Sequence, residues 1–157
     1  MPATLAVNAV LGQEENAVVA ILSLDVYPNG FRINVQILVN PRRAHEIQAM
    51  MHRPRMGMVR VGVRFADGRT GGQGLARGRN DLAKDEQGVP TEPFVGFAGG
   101  GGGSGGWRFG AWVLPLPPDG PLEIFVALPP PANSEYRTVV DGSDVRAAAQ
   151  GARVVWS

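Results

Sequence analysis

The chain has 157 residues, 44% of them hydrophobic and 18% charged, which makes it globular rather than disordered and long enough to bury a core without covalent staples. It has no cysteine, so disulfides, thiolate nucleophiles and cysteine metal sites are excluded. The net charge of +1 conceals a basic block: residues 32–79 hold ten arginines against Glu46 and Asp67, while residues 1–31 and 80–93 are acidic.

In chain order, residues 4–10 read as a first strand. Residues 17–27 form a second, with Val18, Ala20, Leu22, Leu24 and Val26 on one face and Ser23, Asp25 and Tyr27 on the other. Pro28-Asn29-Gly30 is turn chemistry, and residues 31–39 return as a third strand with Phe31, Ile33, Val35, Ile37 and Val39 inward. Pro41 ends it. Residues 42–52 carry a short helical pattern that Pro54 stops. Residues 58–66 alternate again, with Val59, Val61, Val63 and Phe65 inward and Arg60 and Arg64 outward. Asp67-Gly68 turns the chain, and Arg69 onward pairs back briefly.

Residues 71–93 have no period and read as a long loop. Residues 94–97 suggest a short strand. Residues 99–106, seven glycines and Ser104, read as a second loop or hairpin tip. Residues 107–116 are strand-like, with Trp107, Phe109, Ala111 and Val113 on one side. Strands at 122–128 and 136–140 follow, separated by Pro129-Pro130-Pro131. A short helix near 143–150 is expected, with Ser143 as N-cap, Asp144 suited to the helix dipole and Gly151 as terminator. Val154-Val155-Trp156 is apolar enough to dock on the body. About eight strands with Pro/Gly punctuation and one or two short helices predict an all-β fold. The expected architecture is a single antiparallel β-sandwich domain spanning 1–157.

The glycine run with Trp107, the segment Trp112-Val113-Leu114-Pro115-Leu116-Pro117-Pro118 and Gly120-Pro121-Leu122 carry a resemblance. So do the Ala147-Ala148-Ala149 tail through Trp156, the N-terminal hairpin and Val61 to Arg69. On these segments most of the chain resembles a family of uncharacterised actinobacterial proteins; the Met/His stretch 45–58 does not take part. The resemblance implies no activity and transfers no site residues.

Motifs for chemistry are sparse. The glycine run leads into the strand pattern Trp107-Arg108-Phe109 with no lysine, so it lacks the parts of a phosphate loop, and no dinucleotide fingerprint is present. No cofactor is expected. His45 and His52 lie among Met50, Met51, Met56 and Met58, a soft donor set that suggests copper handling as a lesser reading. On a regular helix the two histidines would sit about 10 Å apart along the axis, too far for one ion. Ser23, Ser104, Ser134, Ser143 and Ser157 lack a nucleophile-elbow context, and nothing in the spacing of Asp25, Asp67 and Glu123 brings them together. The balance leans away from an enzyme.

Two binding readings remain. Arg60 and Arg64 share an exposed face that Arg32 joins if its strand pairs in register, which would suit nucleic acid or another polyanion. No reader motif or exposed stacking aromatic supports it, and arginine outnumbers lysine 14 to 1, a bias that a GC-rich genome also produces. Trp107 and Trp112 are an odd number apart, so one face of their strand presents either Trp112 or the Trp107/Phe109 pair outward, unless the C-terminal helix covers it. Aromatic and arginine residues mark protein-binding hot spots. The leading expectation is a non-catalytic protein-binding or assembly module that self-associates. With no basic leader and no stretch of about 18 apolar residues, it is expected in the cytoplasm and away from membranes.

Overall fold

A computed structural model describes residues 1–13, 17–43, 59–72, 84–88, 91–103, 106–128 and 134–153. Among these, nine strands and one α-helix are formed: β1 (Ala3–Gln13), β2 (Ala17–Tyr27), β3 (Gly30–Val39), β4 (Arg60–Arg64), β5 (Thr70–Gly72), β6 (Phe94–Gly103), β7 (Gly106–Leu114), β8 (Pro121–Ala127), β9 (Glu135–Asp141) and α1 (Gly142–Gln150). They build a five-stranded sheet of order β1-β2-β3-β7-β6 and a four-stranded sheet of order β5-β4-β8-β9. Every pairing is antiparallel. The fold is the expected all-β sandwich with one more strand than the sequence suggested.

One apolar cluster joins the two sheets. Phe31, Ile33, Val35 and Ile37 of β3 meet Val61 and Val63 of β4, Phe65 beyond it, and Leu122, Ile124 and Val126 of β8. Each of these is at most 2% exposed, so the strict alternation in β3, β4 and β8 is the record of one buried face per sheet. Val145 of α1 is fully buried, and the helix packs on β1, β2 and β9, along the side of the sandwich.

Four local expectations change. In β2 the buried residues are Ala17, Val19, Ala20, Ile21, Leu24 and Val26; of the expected even row Ala20, Leu24 and Val26 are buried and Val18 and Leu22 are not, because the register shifts between Ile21 and Ser23. The extra residue of a bulge flips the inward parity. The glycine run is not a loop up to Gly103: Gly100 to Gly103 pair with Phe109 to Gly106 in β6. A Cβ at Gly102 would lie 2.5 Å from the Trp107 ring and one at Gly100 2.6 Å from Phe109 Cβ, so close approach to β7 accounts for the glycines. Gly99, with φ +89°, sits at the register shift between Phe97 and Gly100.

The region expected as a loop at 71–93 begins inside β5, and Asp85 to Gly88 form a turn closed by Gly88 N–H donating to the Asp85 carbonyl at 3.0 Å. The helix N-cap is Asp141, not Ser143: its Oδ1 accepts from Ser143 N–H at 2.9 Å, placing the start of α1 at Gly142. After the 3-10 turn Pro41–Arg43, the helical pattern and the Met/His stretch lie outside the described residues, as do Ser104 at the hairpin tip and the apolar tail at 154–156.

Candidate binding faces

The outer face of the five-stranded sheet carries a cross-strand row of Thr4, Asp25, Arg32, Trp112 and Gly96. Asp25 is engaged on its own side of the row. Its Oδ1 accepts from Thr4 Oγ1 at 3.3 Å and its Oδ2 from Asn34 Nδ2 at 3.1 Å; Asn34 also donates to Ser23 Oγ at 3.0 Å. Arg32, opposite Asp25 in register, forms no ion pair with it. Its side chain crosses instead over Gly110, where a Cβ would lie 2.1 Å from Arg32 Nε. That Nε is enclosed and has no hydrogen-bond partner among the described residues.

Trp112, directly opposite Arg32 on the other neighbouring strand, leans against Tyr27 with ring centroids 5.1 Å apart and planes at 53°. Tyr27, Arg32 and Trp112 therefore form one group on this face. Trp107 and Phe109 pair with Ile37 and Val35 and pack against the core. The odd spacing thus sends Trp112 outward and the Trp107/Phe109 pair inward. Helix α1, on β1, β2 and β9, does not provide a layer over β7.

Arg60 and Arg64 are exposed on the outer face of the four-stranded sheet. The core separates them from Arg32, two sheets being about 10 Å apart. Arg32, Arg60 and Arg64 therefore do not share one field, because β3 and β4 belong to different sheets. Arg137 of β9 joins Arg60 and Arg64 instead, its Cζ 5.3 Å from the centre of the Phe125 ring. These residues, with the bare backbone of Gly62 and Gly72, line a shallow trough of about 420 Å³. Arg64 Nη1 lies 3.5 Å from Glu123 Oε2 at its edge. Sequence reasoning missed Arg137 because only the β8–β9 register places it beside Phe125.

The three carboxylates do not converge. Asp25 and Glu123 occupy opposite outer faces, and Asp67 sits in the β4–β5 turn, its Oδ2 2.8 Å from Arg69 Nε. Among the described residues no three His, Asp or Glu side chains group to hold a metal, and no helix is long and apolar enough to cross a membrane. No family model, curated protein or solved structure matches the chain.

Proposed function

We propose that the protein is a non-catalytic assembly module that self-associates through the outer face of its five-stranded sheet. The observation that carries this reading is the grouping of Tyr27, Arg32 and Trp112 beside an engaged Asp25, with no ion pair between Arg32 and Asp25. Trp, Tyr and Arg are the residue types that concentrate binding energy at protein interfaces. A two-fold interface must be self-complementary, each residue i of one copy meeting j of the other. A face that carries an acid beside an arginine with no ion pair among the described residues meets that condition: Arg32 of one copy would reach Asp25 of the second.

The size is adequate. Five strands cover about 19 Å across and about 30 Å along, a footprint of roughly 600 Å² per copy. A standard interface buries about 800 Å² a side, so the sheet with its flanking residues is close to that class. Sedimentation velocity over a concentration series tests the reading. A reversible dimer is expected, and Trp112→Ala should weaken it about thirtyfold or more, as loss of an interface hot spot does. A monomer at every concentration, or a dimer that Trp112→Ala leaves unchanged, would overturn it.

A further inference from the structure

We propose that the trough on the outer face of the four-stranded sheet, remote from the association face, binds a small organic phosphate. Arg60, Arg64 and Arg137 would hold the phosphate, and Phe125 would lie against the body of the ligand. Four features of the trough argue for a ligand site rather than a solvated sheet face.

The first is the glycine floor. Gly62 and Gly72 are cross-strand partners, Gly62 in the inner strand β4 and Gly72 at the end of the edge strand β5. Glycine weakens a strand and marks places where a ligand or another backbone approaches closely. At Gly72 the described residues make no such demand: among them a Cβ there would meet only Gly62 Cα and the Val61 carbonyl, each at 3.7 Å. Its φ is not in the left-handed region, so a side chain would fit.

The second is the arrangement of the guanidinium groups. Arg60 and Arg64 flank Gly62 on β4, about 13 Å apart at the backbone. Arg137 lies two strands away, opposite Phe125, which pairs with Gly62. The three form a triangle of about 12–13 Å sides, with Gly62 midway along its Arg60–Arg64 side and Phe125 nearest its centre. An extended arginine side chain covers roughly half that distance, so all three heads reach the centre. Guanidinium groups suit phosphate because their planar forks donate in pairs.

The third is that these cations are not spent on the fold. Arg60 forms no ion pair among the described residues. Arg64 holds Glu123 only at 3.5 Å, with its side chain more than half exposed. Arg137 rests on the Phe125 ring. Glu135 also lines the trough. With Glu123 and Glu135 counted against the three arginines, the site is one positive charge in excess, which offsets part of the roughly two negative charges of a phosphate monoester and is far from the charge field of a nucleic-acid channel.

The fourth is size. A volume of about 420 Å³ lies within the range of small-molecule sites, about 300–1,000 Å³. Phe125, one ring face of which Arg137 covers, lines the trough and offers its remaining apolar surface to a ring or chain attached to the phosphate, which a free phosphate ion would leave unused.

Isothermal titration calorimetry on the full chain at low salt tests this with three probes: adenosine 5′-monophosphate, inorganic phosphate and adenosine. The nucleotide stands for an organic phosphate with a planar body. Saturable binding of the nucleotide is expected, about tenfold tighter than inorganic phosphate, with adenosine much weaker still. Arg60→Gln should weaken it about tenfold. Gly72→Val should do the same by filling the floor, while circular dichroism stays unchanged because valine suits a strand and has room there. Arg32→Gln, on the opposite face, should have no effect. Absence of saturable nucleotide binding would overturn the proposal, as would binding that neither Arg60→Gln nor Gly72→Val alters. Equal affinity for inorganic phosphate would reduce the site to a simple anion cradle and overturn the organic-ligand assignment. A single-stranded oligonucleotide whose affinity rises steadily with length would assign the trough to a polymer instead.

Discussion

Replacing Arg32 with methionine separates the stability of the chain from its association. In the folded chain the Arg32 stem packs over Gly110, and Nε is enclosed with no partner among the described residues. Leaving a polar donor enclosed and unsatisfied costs about 1–3 kcal/mol. Methionine keeps an unbranched stem of similar length and removes that donor. It also removes the charge, whose terminal nitrogens lie on a part-exposed face and form no ion pair among the described residues. We therefore expect Arg32→Met to gain about 1–2 kcal/mol in the monomer. For a domain of this size that is a rise of roughly 3–6 °C in Tm. Urea unfolding should be run at concentrations low enough for the protein to be monomeric, since association itself stabilises the fold. The midpoint should rise with an unchanged m value. In the same variant the dimer should weaken, because methionine also removes the terminal guanidinium nitrogens with which Asp25 of a second copy would pair. A loss of 1 kcal/mol or more would show that the arginine is held by the fold, and unchanged association would show that the face does not use it.

Two further substitutions test the framework that supports both faces. A Cβ at Gly12 would lie 2.2 Å from the Tyr136 ring, so Gly12→Ala should cost about 1–3 kcal/mol by overpacking where β1 meets β9. A denaturation midpoint equal to the parent would refute that contact. Asp141→Ala removes the side chain that caps α1 through Ser143 N–H at 2.9 Å, and should cost about 1 kcal/mol in urea unfolding, within a usual range of about 0.5–2 kcal/mol. No change would mean that the helix start is satisfied elsewhere.

The strands whose side chains meet only the core were legible. Phe31, Ile33, Val35 and Ile37 alternate without a break because β3 lies inside its sheet, with β2 on one side and β7 on the other. β2 was misread at Ile21 and Leu22 because both are apolar, so nothing in residue type marks the extra residue of the bulge. The strand at Gly99–Gly103 was invisible for a different reason. Glycine has little strand preference, and pairing with the large side chains of β7 imposes the conformation.

The outer face proposed for association was half legible. The odd spacing of Trp107 and Trp112 predicts that one of them points outward, but which one depends on where the core lies. The separation of Arg32 from Arg60 and Arg64 could not be read from alternation, which fixes a face within a sheet but not the sheet. Tyr27 and Arg137 become neighbours of Trp112 and Phe125 only through long-range packing and register.

The central claim is that two copies meet face to face with Arg32 of each reaching Asp25 of the other. A charge-exchange experiment tests it most directly, using Arg32→Asp and Asp25→Lys prepared separately and then mixed. In a two-fold dimer each variant alone places like charges against each other, while the mixture restores two opposite-charge contacts. The account predicts that each variant sediments as a monomer and that the equimolar mixture forms a heterodimer. If both variants dimerise alone as well as the parent does, or the mixture stays monomeric while the parent dimerises, Arg32 and Asp25 do not meet across the interface and the account is wrong.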